Sequence, residues 1–251
     1  MSRSSMPGPG YEWKAFRYSS HYWILKLLER ERQPVRILDV GTASGYLGKL
    51  LQGRGHHITG IERDAVSAER ARKHYDSFYV ADIETFEFPG RLEFDYILFA
   101  DVLEHLRDPA AVLLRYLPAL KESGRMIISV PNVANLFIRL SLLFGRFDYT
   151  DRGILDRTHL RHFTLRSLKR MMSEVSCGIL EVIPTPLPVQ IVFPFTDNKF
   201  LAPLHEGLHL LTRCCKTVLA YQFVIQAAPS GRHVLLHSDQ EALAEGMLTH
   251  A

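Results

Sequence analysis

The chain has 251 residues, 47% of them hydrophobic, and a formal net charge of +3 from 30 Lys and Arg against 27 Asp and Glu. That content can fill the core of one large α/β domain, while a charge so near balance, with no basic run, argues against holding nucleic acid by electrostatics. Cys177, Cys214 and Cys215 have no zinc-ligand spacing and make no disulfide framework, and neither a signal peptide nor a bilayer-spanning segment is visible, so a reducing cytoplasm is expected.

Residues 1–16 read as a flexible arm whose first part is rich in Ser, Pro and Gly. Residues 17–32, RYSSHYWILKLLERER, predict a helix with apolar positions at Tyr22, Leu25 and Leu28. Next comes VRILDVGTASGYLG, Val35 to Gly48, an aliphatic run closing on Asp39, then a loop with Gly41 and Gly45, then a helix from Gly45 to Gln52. A strand feeding a glycine turn into a helix brings backbone N–H groups close to a ligand, as nucleotide-like cofactors require. A dinucleotide fingerprint would place Gly at 41, 43 and 46, whereas this chain has Gly41, Ala43 and Tyr46. A second strand, Ile58 to Ile61, ends in Glu62, placed to accept hydrogen bonds from ribose hydroxyls. Asp64 then caps a helix from Ala65 to His74. A short third strand ends in Asp82, and a fourth, Tyr96 to Ala100, opens into Asp101-Val-Leu-Glu104-His105. Asp108-Pro109 starts a helix to Leu120, Gly124 reads as the turn after it, and GRMIISVPN is the fifth strand. After an insertion, a helix from Leu165 to Val175 capped by Thr164 leads to a sixth strand, Ile179 to Ile183. A connection over 184–218 is Pro-rich and then helical, and the apolar run Leu219 to Gln226 is the last strand. Residues 17–230 thus form one domain, and 231–251 a polar tail.

The insertion, 133–163, is longer than ordinary connections and such segments are usually functional. It opens with the apolar helix NLFIRLSLLFGRF, expected to pack on the core, with a weak peripheral membrane contact as the alternative. It closes with Asp156-Arg157-Thr158-His159-Leu160-Arg161-His162-Phe163. Loops at the C-terminal edge of such a sheet carry specificity, so the segment reads as a lid whose His159 or His162 faces a substrate. A packing arm with satisfied histidines is the alternative.

The glycine loop with its preceding acid, the acids after the second and third strands, and the Asp101-to-Pro109 phrase together resemble class I S-adenosylmethionine-dependent methyltransferases over roughly residues 20–135. VPNVANLFIRLSLLFGRFDY and GILDRTHLRHFT are similar to bacterial members associated with polysaccharide and glycan assembly, a subset that also holds ubiquinone-biosynthesis O-methyltransferases. The resemblance implies a doubly wound, Rossmann-like, seven-stranded and mostly parallel sheet, with an antiparallel last strand and a helical insertion after strand five. It implies S-adenosylmethionine as cofactor, held by Asp39, Gly41, Gly45, Glu62, Asp82 and Asp101. Ala43 stands where many members have Cys or Gly. The implied acceptor is a small or glycan-linked molecule methylated on O or N, with no nucleic-acid partner.

Methyl transfer is an in-line displacement that depends mainly on positioning. A base is needed only where the acceptor must lose a proton, and His159 and His162 are the candidates, with Asp101 orienting the acceptor. Asp101-x-x-Glu104-His105 also resembles the Glu-x-x-Glu-His phrase that holds a divalent ion in some relatives, with His159 as a later ligand. Asp101 is one methylene shorter than Glu, and no metal ligands are assigned. Two other readings stand beside this one: an NAD-dependent oxidoreductase, disfavoured by Ala43, Tyr46 and the absence of a Tyr-x-x-x-Lys pair, and a non-catalytic binding protein.

Overall fold

A computed structural model of the protein describes residues 17–90, 93–189 and 202–230. The predicted arm 1–16 and tail 231–251 lie outside the described residues. The elements in chain order are α1 (Ser20–Leu28), β1 (Arg36–Val40), α2 (Tyr46–Leu51), β2 (His57–Glu62), α3 (Ala65–Ala71), β3 (Ser77–Val80), β4 (Phe94–Ala100), α4 (Pro109–Tyr116), β5 (Leu120–Pro131), α5 (Leu136–Leu143), α6 (Leu165–Glu174), β6 (Cys177–Thr185), α7 (Ala202–Cys214), α8 (Lys216–Leu219) and β7 (Gln222–Pro229). Caps fix several boundaries. Asp64 and Asp108 accept from backbone N–H groups of the first turns of α3 and α4, and Thr164 forms a reciprocal capping box with Ser167.

One seven-stranded sheet has the order β3-β2-β1-β4-β5-β7-β6. The first five strands are parallel, and β7 inserts antiparallel between β5 and β6. This is the Rossmann-like α/β architecture expected. Alternate residues bury on opposite faces: Leu38, Val40, Ile97 and Phe99 join one core cluster, while Ile37, Tyr96 and Leu98 join the other. A parallel sheet covered by helices on both faces needs such continuous apolar strands. The order reverses between β1 and β4, and their carboxyl ends open a crevice there.

Three expectations need correction. Gly124 lies inside β5, where the register jumps from Phe94↔Leu120 to Tyr96↔Arg125 and extra residues bulge outward. A Cβ on Gly124 would meet the Leu120 side chain at 2.7 Å, so the glycine serves a bulge instead of a helix end. The last strand begins at Gln222, and Lys216–Leu219 is helical. The Ala220 carbonyl accepts from Asn132 Nδ2 and Asn135 Nδ2, both at 2.9 Å, so side chains satisfy it where a ladder would have done so. Finally, α5 does not pack on the core. Only Ile138 is buried, in a small cluster with Ile154 and Leu155 that covers one side of the helix.

Candidate active site

At the carboxyl ends of β1, β2 and β4 the structure forms a cavity of about 380 Å³. Asp39, Gly41, Glu62, Asp82 and Asp101 all line it. The loop after β1 is shaped by backbone conformation. Gly41 has φ +75°, and a Cβ there would meet Val102 Cγ2 at 2.8 Å. Gly45 does not line the cavity; at φ +82° it lets the loop approach α3, where a Cβ would meet Ala71 Cα at 2.7 Å. Ala43 takes φ +46° between them, a strained choice for a residue with a side chain. Its N–H donates to Glu62 Oε2 at 2.9 Å, and the Asp64 N–H donates to Glu62 Oε1 at 2.8 Å. Two backbone donors therefore orient the Glu62 carboxylate at the cavity wall.

Asp39 is buried at 2% exposure and accepts from the Tyr75 hydroxyl at 2.6 Å. Burial pushes its pKa up to about 6, against the lowering effect of the Tyr75 bond. Asp101 stands at the tip of β4 with φ +57°. Its Oδ1 accepts from Ser129 Oγ at 2.5 Å and Gln222 Nε2 at 3.0 Å, and its Oδ2 from Ser20 Oγ at 3.4 Å. Donors from β5, β7 and α1 thus hold this carboxylate in place. A left-handed non-glycine residue at a strand tip is the strain functional sites retain.

The predicted lid histidines occupy different positions from the cavity. Neither His159 nor His162 is among its described lining residues, whereas His105 and Thr158 are. His159 sits behind His105, their rings edge to face with centroids 4.8 Å apart. Its Nδ1 lies 3.1 Å from the Ile154 carbonyl, and its Nε2 lies 4.0 Å from Glu104 Oε1. Donation from Nδ1 to that carbonyl leaves the Nε2 lone pair facing the carboxylate. Ligand atoms of Glu104, His105 and His159 all fall within 4.8 Å of one another, a set able to hold a metal ion. Asp101 is outside that set. Burial lowers the pKa of His105, His159 and His162, and in His159 the neighbouring His105 adds to the effect. His162 contacts the rings of Phe147 and Tyr149, with centroids 6.0 and 6.3 Å away. The sequence places His105 beneath the cofactor instead of acting on substrate, and it lines the cavity; for Thr158 and His21, which also line it, no local signal exists.

Residues 14–182, well over half of the chain, match the family model described as a methyltransferase domain. The chain belongs to the methyltransferase domain family. Among curated relatives, the chain is 29% identical to a ubiquinone biosynthesis O-methyltransferase of Rhodopseudomonas palustris over 102 residues, 39% of this chain and 40% of that protein. It is 29% identical to the tRNA 5-carboxymethoxyuridine methyltransferase of Escherichia coli over 136 residues, 51% of this chain and 52% of that protein. The chain thus spans about two fifths to one half of these relatives. The second of them leaves the expected exclusion of a nucleic-acid acceptor without support. The fold is shared with the magnesium protoporphyrin IX methyltransferase from Synechocystis, solved with bound SAH, at a TM-score of 0.55 and 14% identity over 84% of this chain and 80% of that chain.

Proposed function

We propose that this methyltransferase takes S-adenosylmethionine as donor and methylates an oxygen or nitrogen of a small-molecule acceptor, a glycan-linked one included. The observation that carries the donor assignment is the charge of the cavity wall. Asp39, Glu62, Asp64, Asp82, Glu84 and Asp101 line it, against Arg63 as the one Lys or Arg among its described lining residues. Such a wall repels a pyrophosphate and favours a cationic ligand rich in hydroxyl and amino donors. The lining fits the donor: Glu62 would accept from the ribose hydroxyls, Asp82 would meet the adenine amino group, and Asp39 and Gly41 would hold the amino-acid end. When bound, S-adenosylmethionine supplies a methyl group on a sulfonium that is already a good leaving group.

The chain's own residues then position and deprotonate. Asp101, fixed by Ser129 and Gln222, orients the acceptor at the tip of β4. His105 presents an imidazole to the cavity that is neutral at physiological pH and can take a proton, and His159 holds that ring from behind. His162 is assigned to packing against Phe147 and Tyr149. The Glu104–His105–His159 cluster supports a second reading in which a divalent ion lowers the acceptor's pKa. Calorimetric titration with S-adenosylmethionine, S-adenosylhomocysteine and NAD tests the donor: the first two should bind and NAD should not. Binding of NAD alone would overturn the assignment. Labelled-methyl transfer to fractionated small molecules and to tRNA then distinguishes the acceptor classes.

A further inference from the structure

Helix α5 presents its apolar side to solvent. Leu136, Leu140 and Leu143 follow the spacing of one helix face, with Phe137 and Phe144 beside them. Their exposures are 41%, 47% and 75% for the leucines and 67% and 76% for the phenylalanines. Phe147 and Tyr149 extend this exposed surface in the loop that follows, their rings 5.6 Å apart. A surface helix ordinarily turns such a stripe inward, and an exposed cluster of this kind marks a binding surface.

The chemistry of the surroundings identifies the occupant. From Asn135 to Tyr149 the charged residues are Arg139, Arg146 and a single acid, Asp148, in the loop beyond the helix. Both arginines are exposed, and neither joins an ion pair among the described residues. The outward stripe offers Leu and Phe with no hydrogen-bonding group. A protein interface of useful size carries about one hydrogen bond per 100–200 Å², whereas the interior of a lipid leaflet requires none. Apolar side chains flanked by two arginines, with Asp148 as the one acid between Asn135 and Tyr149, match the boundary between acyl chains and anionic headgroups. We infer that the α5 face docks on an anionic lipid bilayer. Among the described residues no helix is long and apolar enough to cross a membrane, so the contact is peripheral. The same insertion contributes Thr158 to the cavity wall, so docking is covalently close to the site. The inference rests on α5 and the residues that follow it, and does not depend on the choice of donor or acceptor.

The test is co-sedimentation of the full chain with vesicles of phosphatidylglycerol and phosphatidylcholine in equal parts, and with phosphatidylcholine alone, at low salt. The wild type should sediment with the first and much less with the second. The double substitution Leu143→Glu and Phe144→Glu, at sites exposed enough to leave the fold intact, should weaken partitioning by at least about tenfold. Arg139→Gln with Arg146→Gln should reduce it about tenfold, on the anionic vesicles only. Leu180→Glu, on the exposed side of β6, should behave as wild type. A wild type that stays in the supernatant with both vesicles overturns the inference, as does unchanged binding of the Leu143 and Phe144 variant. A dimer in light scattering that the same double variant dissolves would also overturn it, by assigning the face to a second copy of the chain.

Discussion

Two carboxylates at the cavity wall illustrate opposite uses of the same group. Glu62 is oriented by the N–H groups of Ala43 and Asp64, with acceptor capacity remaining on both oxygens. Glu62→Ala removes that acceptor, and unpaired ligand hydroxyls cost about 1–3 kcal/mol. S-adenosylmethionine affinity should therefore fall roughly tenfold or more in calorimetry; an unchanged dissociation constant would reject the ribose assignment. Asp39 is buried, and its raised pKa of about 6 exceeds the unfolded value of 3.8. Its proton is thus held more tightly in the native state, so its contribution to stability is greatest below the unfolded value and is lost as pH rises through 6. Asp39→Asn keeps an acceptor for Tyr75 without the buried charge. The ligand-free variant should melt higher than wild type above pH 6, by up to about 3 kcal/mol, with the difference vanishing towards pH 4. Its S-adenosylmethionine affinity should drop. Thermal melts across that range, with and without ligand, check both signs.

At the scale of elements, the insertion between β5 and α6 divides its two histidines. His159 is 8% exposed and tied to Ile154, whereas His162 belongs to the outer ring cluster with Phe147 and Tyr149. His159→Asn can retain the bond to the Ile154 carbonyl through its amide while removing the second ring nitrogen. Its turnover should fall by about 10²-fold or more with donor affinity close to wild type. His162→Asn should lower the melting temperature and leave turnover per folded molecule intact. Equal rate losses in the two variants would contradict this division. Parts of this element were legible locally, including the Thr164 cap and the apolar run of α5. The direction in which α5 faces was not, because periodicity locates a stripe without naming its neighbour.

Across the whole molecule, Glu104 and His105 follow β4 while His159 arrives from the far end of the insertion, and the fold brings their ligand atoms together. A metal held there predicts loss of turnover after exhaustive chelation, with restoration by magnesium, manganese or zinc. Unchanged turnover of the chelated protein would return the proton to His105 and His159 alone. The two outcomes separate because a bound cation, unlike an imidazole, is removed by chelator without changing a residue.

The sequence by itself determined the alternation of strands and helices, the acids at the ends of β1 and β2, and those just beyond β3 and β4. Those signals are local: apolar runs, a glycine turn, a capping residue and an acid at a strand end depend on neighbours a few positions away. In the fold Asp39, Glu62, Asp82 and Asp101 all line one cavity. Only the tertiary structure decided that His159 sits behind His105, outside the cavity lining, and that Gln222 of β7 fixes Asp101. It alone decided that Gly124 serves a bulge, that side chains of Asn132 and Asn135 hold Ala220, and that α5 turns its leucines outward. Each of these depends on which distant segment supplies the opposing surface or hydrogen-bond partner, and that is set by packing across the sheet.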